Sequence, residues 1–552
     1  MIMKSKIIVS LLLSALFFGS CKKNFLDRVP MDELVDETFY TNEETLQLAV
    51  NGCYAYIKGK GTLDMENLGD NTINSSTTDY GRMSAGTYGS ELGTPNSEWA
   101  TDYDGIRRCN AFLENYGKAE GRDNVKEAMA AEVRFIRAYL YFYLTEFFGD
   151  VQLVTKTLQI NDPEVLGTRQ KKADIVDFIL AELDAAASKL PTAQTGINLG
   201  RITKGAALAL KARVALYNRK WDVAEKAAKD VMDMNIYQLY TTTNPATAYN
   251  DFFTYKGKLK NGNKETILAR MHLTDVSVHN MSREAQVPDQ ASRWNPTKSL
   301  VDAYLCSDGL PIDKSPLYKE THYDSLFKNR DPRMTQTILT PGAAWGGRQD
   351  GRNLTSSATY GTFMVPKWIS NKLGSVTITG FYFTKYVELS TVGAVSRDEN
   401  DIHLIRFAEV LLTYAEAKLE QGTLTQVDID NTINKIRARV GMRPMRITEL
   451  TAAGLNLRDE VRRERRVELA LEGQRYFDIL RWKQGDLLAR DVKGMKKSLA
   501  FRPSDVSNLP ADAQGYIIVN NGRVFTDPKH YLWPVPLTQT QRNPNLGQNP
   551  GW

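Results

Sequence analysis

The sequence predicts a mainly α-helical protein, a helical scaffold interrupted by one long loop-rich insertion. Three observations predict it. Apolar residues recur at helical spacing between about residues 124 and 234 and again between 402 and 482. A pair of helices with small residues at its crossing appears on each side of the gap. The gap itself, Thr241 to Asn400, is rich in Gly, Pro, Asn and Ser and has few periodic segments. Loops of that length inside a compact protein are functional or disordered, and the many aromatics argue against disorder.

The N-terminus reads as an address. Lys4 and Lys6 precede the apolar run Ile7 to Phe18, which is too short to span a membrane and fits a secretory signal. Gly19, Ser20 and Cys21 follow, and a Cys directly after small residues resembles a bacterial lipobox, although Phe18 departs from its usual Leu. The expectation is cleavage before Cys21, with residues 1–20 removed and lipid attached at Cys21; several acyl chains hold a protein firmly at a membrane. Cys53, Cys109 and Cys306 remain, with no CxxC, and read as small buried residues.

The helices follow in order. Asn124 to Phe148 carries Val133, Ile136, Leu140, Leu144 and Phe147 on one face and stops at Gly149. Ala173 to Leu190 ends at Pro191. Thr203 to Asn218 is followed after a short turn by Trp221 to Met234. Ala206, Ala209 and Ala224 at the crossing, with Trp221 at the turn, resemble a tetratricopeptide (TPR) repeat. A similar pair recurs at Ile402 to Gln421 and Val427 to Val440. More than 150 residues separate the pairs, so a TPR-like scaffold with an insertion fits better than a tandem array.

Arg458 to Trp482 is the most charged stretch. Glu460, Glu464, Glu468 and Glu472 recur every four residues, with Arg458, Arg462, Arg465 and Arg466 beside them. Acids cancel bases locally, so no one-signed surface for nucleic acid forms. The chain as a whole, 552 residues with net charge +5, implies no charged partner either. The apolar second half, from Tyr476 to Trp482, suggests a helix pair that ties distant parts of the core together.

Several strings carry a resemblance. RRERRVELALEGQRYFDILRW, AEVRFIRAYLYF followed by FGDVQLV, NPTKSLVDAYLCSDG, NRDPRMTQTIL and the ending YLWPVPLTQTQRNPNLGQNPGW are similar to the SusD/RagB family of surface nutrient-binding lipoproteins. The resemblance runs in order through residues 21–552 and implies a single SusD-like domain, with scaffold at about 30–240 and 400–490 and insertion at 241–400. It also implies a glycan-binding, non-catalytic protein at the outer membrane, facing outwards, partnered by a SusC-like TonB-dependent transporter. The sequence itself has no 18-residue apolar span and no series of alternating strands that would form a pore.

No HExxH, GxSxG, P-loop or GxGxxG occurs. The five histidines are scattered without a metal-ligand partner at i+3 or i+4, so neither a metal nor a cofactor is expected. A pair of glycosidase carboxylates would be indistinguishable among 65 acids. The alternatives to glycan capture are therefore a secreted glycan-cleaving enzyme on a helical scaffold and a SusD-like binder of another nutrient. A sugar site needs exposed aromatic faces edged by polar groups. The candidates lie in polar or Gly-rich loops: Tyr80 with Asp79 and Arg82, Trp294, and Trp345 near Arg348, with Trp99 added although it shares helical spacing with Tyr103 and Ile106.

Overall fold

The computed structural model describes residues 39–286, 292–346, 361–368, 376–393 and 396–552. The leader, Cys21 and Arg348 lie outside them. Helix α1 (Glu43–Tyr54) opens on a reciprocal cap, in which Asn42 accepts from Thr45 N at 3.0 Å and Thr45 Oγ1 from Asn42 N at 3.2 Å. The short helix α2 (Asp79–Ser84) and the long α3 (Gly93–Asn115) follow. Helix α4 (Asp123–Phe148) is the axle. Its second half is buried on nearly every side, and α1, α3 and the next helix, α5 (Lys172–Lys189), pack on it. Glycine at 149, with φ +73°, turns the chain out of α4 into a left-handed conformation.

The stack continues through α6 (Lys204–Tyr217) and α7 (Trp221–Asp233). Ala206, Ala209, Ala224, Ala227 and Ala228 are buried there, and small side chains let two backbones approach. Helix α8 (Phe407–Glu420) then packs on α7, so the chain resumes the stack where it left it. The insertion is clasped at its ends by an antiparallel pair, Thr266–Arg270 against Ile402–Arg406. After α8 come α9 (Leu457–Glu468) and α10 (Arg475–Arg481).

Two expected helices differ. Ile402–Arg406 is a strand, and α8 begins only at Phe407. An apolar run of that length suits either state, and the partner strand that decides it is remote in sequence. Val427 to Val440 breaks at Thr432 into Gln426–Asn431 and Ile433–Arg439. Arg458 to Trp482 is the expected helix pair, its two members separated where Leu471 and Gly473 take positive φ.

Helix α9 is exposed in its first turn and buried along one face beyond it, at Glu460, Val461, Glu464, Arg465, Val467 and Glu468, and most of its charges pair far from their own turn. Glu468 accepts from Arg406 and Arg439 at 2.7 Å and from Arg333 at 3.1 Å. Glu464 takes Arg333 and Arg437, and Glu472 takes Arg406 and Lys385. With Glu265 and Asp331, five cations meet five carboxylates in the core. Burial alone would raise the Glu468 pKa, but the Arg439, Arg406 and Arg333 charges outweigh it and hold the carboxyl below its ordinary range. Cys53, Cys109 and Cys306 are buried free thiols.

Candidate functional site

Of the six residues singled out for a sugar site, the structure brings one to an open groove. Trp294 and Trp345 are 1% and 0% exposed, a correction to the expectation of free indole faces. Loop composition does not reveal that these loops fold back onto the body. The Trp345 ring sits 5.3 Å from Phe363 and 5.8 Å from Tyr382, centroid to centroid. The Trp294 ring is covered by Lys60, whose Nζ stands 4.7 Å from the centroid. Trp99 is core within α3, against Tyr103 and Phe148. Asp79 is occupied differently from expected: Oδ2 accepts from Thr94 N at 3.1 Å and Thr94 Oγ1 at 3.0 Å, which serves the free amides at the start of α3. Tyr80 is half-buried against the core and faces Glu98. Arg82 alone is exposed and lines a groove.

That groove, about 450 Å³, is built from loops of both halves of the chain. One wall is α2 and the hydroxyl-rich segment Asn74 to Thr77, held by the strand pair Thr72–Ile73 with Asn295–Pro296. The facing wall is Leu509–Pro510 and the strand Tyr516–Asn520. The walls are joined where Val524 N donates to Ala85 O at 2.9 Å. Gly86 makes that junction possible: its φ is +70°, and a Cβ there would lie 1.9 Å from the Val524 carbonyl oxygen. Arg523 is buried under the junction. Its Nε donates to Leu488 O at 2.7 Å, Nη2 to Ser84 O at 2.7 Å and Ser84 Oγ at 2.6 Å, and Nη1 to Asn520 Oδ1 at 3.2 Å.

Trp368 lines this groove and also a larger neighbouring cleft of about 1350 Å³. The cleft runs past His322, Met364, Lys367, Phe501 and Arg502. Phe501 is 72% exposed and Met364 54%, so an aromatic face and a thioether stand open among polar groups. Both residues escaped the sequence reading, which sought Trp and Tyr. The signal for Phe501 was its place between Ala500 and Arg502 in a non-periodic run.

Among the described residues, no group of three or more His, Cys, Asp and Glu is arranged to hold a metal ion. No helix among them is long and apolar enough to cross a membrane. The carboxyl of Asp102, pushed up to about 7 by burial, is in the core and lines neither cleft.

Residues 264–552 match the model of the SusD family, and residues 24–216 match a model described as starch-binding associating with outer membrane. The chain belongs to the SusD family. A SusD-like protein of Bacteroides ovatus is 24% identical over 605 residues, covering 99% of this chain and 98% of that protein. A SusD-like carbohydrate binding protein from Bacteroides fragilis superposes with TM-score 0.78 at 29% identity, covering 92% of this chain and all of that one. A second SusD-like protein from the same organism reaches TM-score 0.77 at 26% identity, covering 95% and 100%.

Proposed function

We propose that this protein is a lipid-anchored glycan-binding protein that captures oligo- or polysaccharide and passes it to a SusC-like TonB-dependent importer. Cys21 is the anchor, at the outer membrane and facing outwards. Family membership, the outer-membrane description of the matched N-terminal model and the carbohydrate binding of the Bacteroides fragilis relative support the reading. The observation that carries it is Phe501, an open aromatic ring in a polar cleft, since sugar rings stack an apolar face on such a surface while their hydroxyls meet polar neighbours. The second groove offers Asn, Ser and Thr groups for those hydroxyls.

Incubation of the purified protein with a glycan panel tests the reading. The expected result is binding without release of reducing ends; turnover would replace capture with catalysis. Mass spectrometry of membrane-extracted protein is expected to show acylated Cys21 at the N-terminus. Gentle detergent extraction and affinity purification are expected to recover a large barrel protein with it.

A further inference from the structure

The charge of the smaller groove departs from that of the chain. Acids and bases are nearly equal in number overall, 65 against 70. The described lining of the groove holds two guanidiniums, Arg82 and Arg523, and no Asp or Glu. Arg82 is exposed, and none of the ion pairs among the described residues involves it.

Arg523 is the less ordinary of the two. It is 9% exposed, and every acceptor around it is neutral: two main-chain carbonyls, a hydroxyl and an amide oxygen. These four bonds leave one Nη1 hydrogen over, beside the groove that Asn520 also lines. Burial pushes its pKa down to about 10, against the distant pull of Asp70 and Asp491. Asp70 is itself engaged by Arg466 and Arg475. A buried cation whose hydrogen bonds all go to neutral acceptors, with no carboxylate in direct contact, keeps an electrostatic deficit that an anion relieves. Arg523 binds Ser84 of α2, the helix that also carries Arg82, and both guanidiniums line the groove.

Building on the proposed glycan site, we infer that this groove selects an acidic glycan, one carrying uronate carboxylates or sulfate esters. A guanidinium presents paired N–H donors that match the two oxygens of either group and adds the attraction of opposite charges, which a neutral sugar lacks. The hydroxyls of Ser75, Ser76 and Thr77 then serve the neutral edge of the same sugar.

Calorimetry with two matched pairs of probes tests this. One pair is polygalacturonate oligosaccharide and its methyl ester. The other is a sulfated galactan oligosaccharide and its desulfated form. The charged member of at least one pair is expected to bind about tenfold tighter or more than its neutral counterpart, and which pair responds tells uronate from sulfate. Raising salt is expected to weaken that binding. Arg82→Gln, at an exposed position that leaves the fold intact by circular dichroism, is expected to remove most of the difference, and Arg82→Lys to restore part of it. Neutral members bound as tightly as charged ones, or an Arg82→Gln protein that still discriminates, overturns the inference and leaves glycan capture standing. Failure of every glycan, neutral or acidic, overturns both.

Discussion

Replacing Glu468 by Gln removes one charge from the core and almost no volume. Five cations would then face four carboxylates. The geometry makes the loss worse than the charge count suggests. Arg439 Nη2 reaches both carboxylate oxygens, at 2.7 and 2.8 Å, and Arg333 Nη1 reaches Oε2 at 3.1 Å. An amide turned either way sets an NH₂ donor against a guanidinium donor. Breaking one partner of a buried, paired network costs about 3–5 kcal/mol, because the remaining charges stay desolvated. The assay is urea unfolding followed by tryptophan fluorescence and far-UV circular dichroism. Asp486→Asn is the control, since its pair with Arg490 is 67% exposed on both sides and surface pairs contribute little. The double variant Glu468→Gln/Arg439→Met, which removes a cation as well, is expected to recover part of the loss. If Glu468→Gln unfolds at the same denaturant concentration as Asp486→Asn, the network is not what holds α9 in place.

Three further outcomes follow from the same structure. Trp345→Ala is expected to cost about 3–5 kcal/mol of stability, read from denaturant midpoints, because its ring is fully enclosed. Phe501→Ala is expected to leave the midpoint unchanged and to cost about 1–2 kcal/mol of glycan binding by calorimetry. His403 is buried between Thr266 Oγ1 and Phe252 O, and burial pushes its pKa down to about 3. Below about pH 6.5 the unfolded chain therefore binds a proton that the folded chain refuses, and stability falls as pH falls toward that value. His403→Asn is expected to take up one proton fewer on unfolding at pH 5, measured from the pH dependence of the unfolding free energy.

The helical half of the fold was legible because one face of each helix is apolar. The spans predicted for α4, α5, α6 and α7 agree with the structure to within a residue at each end. The clasp strand Ile402–Arg406 was not legible as a strand, because its identity depends on a remote partner, Thr266–Arg270, in which Thr266 pairs with Arg406 and Arg270 with Ile402. Of the six residues singled out, only Arg82 stands exposed on a groove. An exposed aromatic and a buried one look alike in a non-periodic sequence, so the buried Trp294 and Trp345 drew attention and the open ring of Phe501 did not. Arg523 could be recognised only once its acceptors were seen to be neutral.

The core charge network also bears on how this chain can change over generations. Asp331, Arg333 and Lys385 belong to the insertion, while Glu464, Glu468 and Glu472 belong to α9 and the turn that follows it. The two-stranded clasp alone would let the insertion be exchanged like a cassette, with its loops reshaped for a new ligand. The ion pairs oppose a free exchange, since a foreign insertion lacking those two cations takes one partner from each of three buried carboxylates, leaving Glu464 to Arg437, Glu468 to Arg406 and Arg439, and Glu472 to Arg406. Drift at positions 333 and 385 is thus coupled to drift at 464, 468 and 472, whereas the groove-lining loops, which carry no part of that circuit, are left free to diversify.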